Sequence, residues 1–174
     1  MFLEDEIILL RAIEPTDADI IYQWENNIDV WKVSNMINPI SLQEIKFYID
    51  NRKDIYIDKS LRLMIMNKTT NKAIGTIDFF DFDIQHQRVG IGILIADESD
   101  RKKSFANSAL KLCLHYAFNV LFLNQIFCHI SEKNTSSIKL FEKNGFEKAG
   151  KLKAWQQVEK GVFETVFFYQ KLNH

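Results

Sequence analysis

The first third of the chain changes from a strand pattern to a helical one. Residues 7–11 form a compact apolar stretch that predicts a strand. The Pro-Thr-Asp sequence at 15–17 is typical of a helix start, and apolar residues from Ile20 onward recur at helical spacing. A Ser-Leu-Gln-Glu capping box at 41–44 predicts the start of a second helix. This part of the chain is therefore predicted to be one strand followed by two helices.

The middle of the chain is predicted to contain three consecutive strands. The first two, at 61–66 and 73–81, are separated by a polar stretch that predicts a hairpin. In the third, at 89–96, β-branched residues alternate with a second set that includes Gly90 and Gly92. One face of this strand therefore has two positions without a side chain, and we expect another group to approach the backbone there.

The rest of the chain alternates again between helix and strand. A long amphipathic helix at 105–120 precedes a strand at 125–131, and a short helix at 136–143 ends at an Asn-Gly pair. Two closing strands follow at 146–155 and 162–172. The predicted order is β-α-α-β-β-β-α-β-α-β-β, which implies an α/β (α+β) fold with helices on the faces of a mixed sheet.

Composition agrees with one globular domain and excludes several classes of protein. The 174 residues are 47% hydrophobic and 26% charged, and no linker-like stretch interrupts them, so we predict a single domain over residues 1–174. The 22 Lys and Arg are balanced by 23 Asp and Glu, which argues against nucleic acid as the main partner. Neither a signal peptide nor a membrane-length apolar run is present, so a cytoplasmic location without membrane contact is predicted.

Cysteine and histidine give no indication of a metal site. The two cysteines, Cys113 and Cys128, and the four histidines lack the spacing of metal ligands. Both thiols are predicted to be buried and reduced.

The segment 101–106, Arg-Lys-Lys-Ser-Phe-Ala, lies where a predicted strand ends and the long helix begins. Backbone N–H groups and the helix dipole make such a junction a binding site for anions. Three cationic side chains are unfavourable at the positive end of a helix unless an anion is bound there. The sequence therefore favours a site for a pyrophosphate, and the alternative is a solvated, basic helix start.

Two segments resemble the signature of the GNAT acetyltransferase family. The R-x-x-S-x-A sequence at 101–106 resembles the pyrophosphate loop of the family, R/Q-x-x-G-x-G/A. Asn134-x-x-Ser137, followed by Leu-Phe-Glu-Lys-Asn-Gly-Phe at 140–146, resembles the family pattern N-x-x-S/A and L-Y-x-K-x-G-F. Together, at this separation, the two segments indicate a member of this family.

The resemblance extends to the N-terminal part of the chain. Residues 10–19 and 24–26 are similar to the RimJ/RimL-type ribosomal-protein alanine and spermidine/diamine acetyltransferase branch. The resemblance implies the GNAT fold, with a mixed, mostly antiparallel central sheet of about seven strands flanked by about four helices. It also implies a V-shaped split between the two central parallel strands.

Acetyl-CoA is the co-substrate that the resemblance implies. Its pantetheine arm would pair with the third predicted strand, and its pyrophosphate would lie on the 101–106 loop. Asn134 would hold the pantetheine arm, and Ser137 and Lys143 would form the far wall of the site. Alternatively, Asn134 only caps the next helix and Lys143 is a solvated surface charge. The residues implied in binding are Ile93, Leu94, Ile95, Arg101, Lys102, Lys103, Ser104, Phe105, Ala106, Asn134, Ser137, Phe141 and Lys143.

The chain departs from the family pattern in the loop and at one aromatic position. Lys102 and Ser104 stand where the family loop usually has glycine, which lets the backbone wrap the phosphates without a Cβ. Phe141 stands where many members have a Tyr whose phenol protonates the leaving thiolate. Because a thiol of pKa roughly 8.5 can leave as the anion, we expect the reaction to proceed without that acid.

The reaction implied by the resemblance is direct transfer of an acetyl group to a primary amine. A strand N–H near Leu94 would polarise the thioester, and Asp78 and Glu25 are the expected cation-binding or base residues. The acceptor is expected to be a polyamine or diamine, or a protein N-terminal alanine, and a homodimer is among the expected assemblies. The alternative is a non-catalytic protein that binds acyl-CoA or polyamine, because the loop glycines and the Tyr are absent.

Overall fold

A computed structural model describes residues 3–34, 38–101 and 103–173. Within these residues the predicted elements occur in the predicted order, and two short helices are added. No helix in this part of the chain is long and apolar enough to cross a membrane. The strands are β1 (Ile8–Ala12), β2 (Leu61–Asn67), β3 (Lys72–Asp83), β4 (Arg88–Ile95), β5 (Gln125–Ser131), β6 (Glu147–Glu159) and β7 (Val162–Leu172). The helices are α1 (Ala18–Glu25), α2 (Ile28–Ser34), α3 (Leu42–Asn51), α4 (Ile55–Asp58), α5 (Phe105–Asn119) and α6 (Thr135–Lys143).

The two helices that the sequence patterns did not predict, α2 and α4, are both short. The start of α4 is set by Asp54, whose carboxylate accepts hydrogen bonds from the N–H groups of Tyr56 and Ile57 at 2.9 and 3.1 Å. A helix of one turn is too short to show a helical period. The predicted capping box between Ser41 and Glu44 is present at the start of α3.

The strands form one sheet in the order β1-β2-β3-β4-β5-β7-β6. Among the described strands, every neighbouring pair is antiparallel except β4 and β5, which run parallel. This confirms the predicted mixed, mostly antiparallel sheet.

The parallel pair of strands separates part of the way along its length. The last paired residues of β4 and β5 are Gly90 and Phe127. Beyond this point β4 stays paired with β3 as far as Ile95, and β5 stays paired with β7 as far as Ser131. We call the gap between residues 91–95 of β4 and residues 128–131 of β5 the V, and it confirms the predicted split.

The long helix α5 covers one face of the sheet. Val89 and Ile91 of β4 belong to the same buried cluster as Ala109 and Cys113 of α5. Burial raises the pKa of the Cys113 and Cys128 thiols. Both thiols are therefore held in the protonated, unreactive form.

The helices α1 and α3 cover the opposite face over β2. Ile21 and Ile45 belong with Met64 to a second buried cluster. The Arg11 guanidinium donates to both carboxylate oxygens of Asp17, at 2.6 and 2.8 Å, at the start of α1. These contacts hold α1 on the sheet, so that its last residues lie above β2 and β3.

Candidate active site

Along the edge of β4 that faces the V, the backbone N–H and C=O groups beyond Gly90 are not paired with any described residue of β5. The N–H of Ala96 donates to the carbonyl of Ile74 in β3 at 3.0 Å. In antiparallel strands, residues that exchange hydrogen bonds alternate with residues that do not. Leu94 therefore bonds to β3, whereas the N–H groups of Ile93 and Ile95 point away from β3 into the V.

This alternation corrects the role predicted for Leu94. Its carbonyl oxygen lies 1.9 Å from the place that a Cβ on Gly75 of β3 would occupy, so the polar groups of Leu94 face β3. The N–H that can polarise a carbonyl bound in the V belongs to Ile93 or Ile95. The prediction of Leu94 for this role is wrong by one residue, because the sequence does not show which pairs of the ladder are hydrogen-bonded.

The backbone at the start of α5 fits the predicted pyrophosphate site. Ser104 is the N-cap of α5 with φ 67° and ψ 0°, in the left-handed region that favours glycine. Its side chain makes no capping hydrogen bond. The N–H groups in the first turn of an α-helix have no intrahelical partner, so those of Phe105 and Ala106 are oriented toward an anion placed beyond the helix end.

The basic side chains of the loop are exposed and close to that helix end. Arg101 Nε donates to the Ile95 carbonyl, at the end of β4, at 3.3 Å. Lys103 contacts Asp100 at 3.2 Å. These exposed contacts are weak enough to be exchanged for a phosphate. Lys102 lies outside the described residues.

Of the second segment that resembles the family signature, residues 134–146, only the beginning lies near the V. Asn134 directly follows β5, and its Oδ1 accepts hydrogen bonds from Ser137 N at 3.1 Å and Ser136 Oγ at 3.0 Å, so this oxygen caps α6. Lys143 is exposed at the other end of α6, about 13 Å away along the helix axis. Phe141 is buried in the core, where its ring lies 4.9 Å from that of Phe146 between centroids.

Two of the predicted catalytic residues, Glu25 and Asp78, lie together with Arg62 of β2. The Arg62 guanidinium donates to Glu25 Oε1 at 2.5 Å and to the two oxygens of Asp78 at 2.7 and 3.1 Å. We call these three residues the ion cluster. Sequence reasoning missed Arg62, although a charged residue opposite Asp78 in the predicted hairpin was a usable signal.

The ion cluster is partly shielded from water and carries one net negative charge. Burial and the nearby Glu25 raise the pKa of Asp78, against the opposing effect of Arg62. Although burial opposes the charged form of Arg62, the two carboxylates raise its pKa, so the guanidinium stays protonated. About a quarter of the Arg62 and Asp78 side chains remains exposed, at 26% and 29%. A second cation can therefore approach the carboxylates.

The pairing of strands places the ion cluster in one line with the V. Arg62 is paired with Asp78, and Asp78 is paired with Gly92. On the far side of the V, His129 is paired with Phe168. We call these five residues the cross-strand row. Since Gly90 and Phe127 are the last pair of β4 and β5, His129 stands opposite Gly92 across the gap.

The two glycines of β4 serve different purposes. A Cβ on Gly90 would lie 2.2 Å from the Phe80 ring, so this position is filled by an aromatic side chain of the neighbouring strand. A Cβ on Gly92 would have only the edge of the same ring, at 3.9 Å, within 4 Å among the described residues. The predicted approach of an external group to the backbone therefore fits Gly92, and Phe80 accounts for Gly90.

Four rings form an aromatic cluster on the same face, and it consists of Phe80, Phe127, His129 and Phe168. The centroid distances are 5.8 Å from Phe80 to Phe127, 5.6 Å from Phe127 to Phe168, and 5.1 Å from His129 to Phe168. Phe127 and Phe168 also line a groove of about 890 Å³. This groove extends from the closed end of the V toward the β3–β4 turn, where Asp81, Asp83 and Arg88 border it.

These features define a class of protein that binds a thioester co-substrate in a split sheet and transfers its acyl group. The sequence profile of the acetyltransferase (GNAT) domain matches residues 8–147. The chain therefore belongs to the GNAT acetyltransferase family.

Comparison with known proteins agrees with this assignment over most of the chain. The N-acetyltransferase p20 of Bacillus licheniformis is 28% identical over 167 residues, which cover 95% of this chain and 93% of that protein. The spermidine N(1)-acetyltransferase of Vibrio cholerae is 26% identical over 148 residues, which cover 83% of this chain and 82% of that protein.

A solved structure shows the same fold. The crystal structure of spermidine N-acetyltransferase from Vibrio cholerae in complex with CoA and spermine superposes with a TM-score of 0.86 at 22% identity. The match covers 97% of this chain and 96% of that one. The protein is an N-acetyltransferase with acetyl-CoA as co-substrate, as predicted.

Proposed function

We propose that the protein acetylates a primary amine of a polyamine or diamine. The observation that carries this proposal is the convergence of Glu25 and Asp78 beside the open space over Gly92. Their two carboxylates share a single guanidinium, so one negative charge is left to attract an ammonium group. An amine bound there lies next to the V, where the thioester is expected.

The backbone of β4 supplies the second requirement of the transfer. The N–H groups of Ile93 and Ile95 point into the V and can donate to the thioester carbonyl oxygen as negative charge develops on it. Fixing the amine and the carbonyl on one strand also brings the reacting atoms together, which alone accounts for a large part of typical rate enhancements. This arrangement supports direct attack without a covalent enzyme intermediate.

The groove on the same face provides room for the rest of a long acceptor. Its aromatic walls suit a methylene chain, and Asp81 at the far end can attract a second ammonium group, whereas Asp83 is paired with Arg88. The Vibrio cholerae relative is a spermidine N(1)-acetyltransferase, which supports the same substrate class. The alternative acceptor, a protein N-terminal alanine, carries only one ammonium and gains nothing from the distant Asp81.

The acceptor is tested by following CoA release with a panel of amines. The panel contains spermidine, spermine, putrescine and a peptide with an N-terminal alanine. We expect the polyamines and the diamine to give the highest kcat/KM. A higher kcat/KM for the peptide would overturn the proposal of a polyamine or diamine acceptor. Binding of acetyl-CoA without CoA release in any sample would support the non-catalytic alternative.

The role of the ion cluster is tested with Asp78→Asn. We expect the KM for the preferred amine to rise about 10- to 100-fold, because a charge-assisted hydrogen bond is lost. Asp50→Asn, which removes an exposed carboxylate on α3, is the matched control and should leave the KM unchanged. Equal KM values for Asp78→Asn and Asp50→Asn would show that Asp78 does not bind the acceptor. The homodimer stays a prediction that sedimentation can test.

A further inference from the structure

We propose, on the basis of the amine transfer proposed above, that His129 is a catalytic residue that accepts the proton of the acceptor ammonium. A primary ammonium has a pKa of about 10 and is almost fully charged at neutral pH, so it must lose a proton before its nitrogen can attack. The group that takes this proton has to stand beside the V on the face where the amine binds.

The strand register puts His129 at that place. His129 lies two residues beyond Phe127, the last residue of β5 that is paired with β4, and successive side chains on one face of a strand are two residues apart. Its side chain is therefore on the same face as Phe127, and opposite Gly92 across the V. With strands spaced about 4.8 Å apart, the backbones of Asp78 and His129 are at least about 10 Å apart. An amine over Gly92 thus lies between the carboxylate and the imidazole.

The imidazole of His129 is positioned by ring packing, and its nitrogens make no hydrogen bond to the described residues. Its ring centroid lies 6.0 Å from that of Phe127 and 5.1 Å from that of Phe168, so two rings restrict its orientation. The residue is exposed. Within residues 3–34, 38–101 and 103–173, no hydrogen bond or ion pair engages its ring nitrogens. They are therefore available to a substrate.

The other candidates for the proton acceptor are occupied or misplaced. The two carboxylates of the ion cluster hold Arg62 and, in the proposed function, serve as the counter-ion of the ammonium group. Tyr116 stacks on Phe79 at 6.2 Å, on the face that α5 covers. Phe141 has no hydroxyl group.

The charged groups that face His129 come from both sides of the V. Asp78 faces it from β3, with Arg62 of β2 and Glu25 of α1 behind Asp78. Glu164 lies further along β7, where it accepts a hydrogen bond from Ser131 Oγ at 2.7 Å and contacts Lys133 Nζ at 2.6 Å. Glu164 is neutralised by Lys133, whereas Asp78 shares Arg62 with Glu25, so the excess negative charge that would stabilise an imidazolium ion is that of the ion cluster.

The proton balance of the transfer is complete with this residue. One ammonium proton moves to an imidazole nitrogen, and the freed lone pair attacks the thioester carbonyl carbon. A C–N bond forms, the C–S bond breaks, and its electron pair leaves with sulfur. The nitrogen then loses a second proton to the thiolate and keeps the third as the amide N–H. The proton on His129 passes to water.

The test is the pH dependence of kcat for the wild type, His129→Gln and His129→Phe, with the best amine of the panel. General base catalysis contributes about 10²- to 10⁴-fold, so we expect kcat to fall at least 100-fold in both variants. In the wild type, kcat should rise with pH as the imidazole is converted to its neutral form, and this rise should be absent in the variants. The Kd for acetyl-CoA should change less than about twofold, because the co-substrate does not need the imidazole.

Two comparisons separate chemistry from packing. His129→Phe keeps an aromatic ring against Phe127 and Phe168, so it retains the fold if His129→Gln loses stability. His115→Gln removes an exposed imidazole on α5, whose ring nitrogen lies 3.0 Å from Asn119 Nδ2, and should behave as the wild type.

The possible failures are distinguishable. If the wild type acetylates an amine and the variants lose less than threefold in kcat with the pH rise intact, His129 is not the base, and the proposed function stands. If the wild type releases no CoA with any amine, both proposals are wrong.

Discussion

The β4–β5 pair has a glycine of β4 at its closed end and another at its open end, and the space above the two glycines is used differently. At the closed end, Gly90 is paired with Phe127, and the Phe80 ring fills the space above it. At the open end, Gly92 has space above it and His129 opposite it. The absence of a side chain therefore allows packing at one end and leaves open space, where we propose the amine binds, at the other.

The two sides of the open end also differ in chemistry. The β3 side carries charge in the ion cluster, which we propose binds and orients the acceptor ammonium. The β5 side carries Phe127 and, on the adjoining strand β7, Phe168, which hold the imidazole of His129 in place and offer an apolar surface. A reaction that begins with an ammonium ion and ends with a neutral amide needs both kinds of surroundings.

Replacing the open-end glycine should have the largest effect on activity. In Gly92→Val the new side chain occupies the space proposed for the amine, so we expect kcat/KM to fall about 100-fold or more, or at least about 2.7 kcal/mol in activation free energy. The free energy of unfolding should stay equal or rise by up to about 1 kcal/mol, because a β-branched residue suits a strand. Steady-state kinetics and thermal unfolding measure the two quantities.

Gly90→Ala is the matched counterpart at the closed end. The added Cβ would lie 2.2 Å from the Phe80 ring, which must then shift. We expect a loss of roughly 1–3 kcal/mol in the free energy of unfolding, with kcat/KM changed only a few-fold. Loss of activity in Gly90→Ala with unchanged stability, or the reverse pattern in Gly92→Val, would contradict the division between the two ends.

Hydrogen exchange can show the same division without a mutation. Acetyl-CoA at ten times its Kd should slow exchange of the Ile93 and Ile95 amides about tenfold, since these N–H groups point into the V. The amides of Gly92 and Leu94 should change little, because they already donate to β3. Protection of Leu94 in place of Ile93 and Ile95 would mean that the co-substrate pairs with β4 in another register.

The smallest effect is expected in the loop beyond the open end. Ser104→Gly relieves a left-handed backbone, so we expect it to raise the free energy of unfolding by up to about 1 kcal/mol. The Kd for acetyl-CoA should stay equal or fall a few-fold, as measured by calorimetry, because a Cβ is removed beside the phosphates. Weaker binding in Ser104→Gly would show that the serine hydroxyl contacts the co-substrate, and Ser108→Gly, in the second turn of α5, is the control.

Local patterns in the sequence determined most of the elements of this protein. The capping box at Ser41, the long apolar stripe of α5 and the alternation in β4 each depend on neighbours within a few residues, so each is visible without a structure. The anion site predicted at the start of α5 is inferred from the same kind of local pattern, because a helix start and its adjacent charges are consecutive in the chain. The helix α4 was not predicted, because a helix of one turn is too short to show a helical period.

Only the tertiary structure decided how these elements meet. Arg62 joins Glu25 and Asp78 from three separate elements, and His129 stands opposite Gly92 only because β4 and β5 part after Gly90. The direction of the Leu94 N–H likewise depends on which pairs of the ladder are hydrogen-bonded. Strand register is set by contacts between distant residues, and a shift of one residue turns every side chain to the opposite face, so a local pattern cannot specify it.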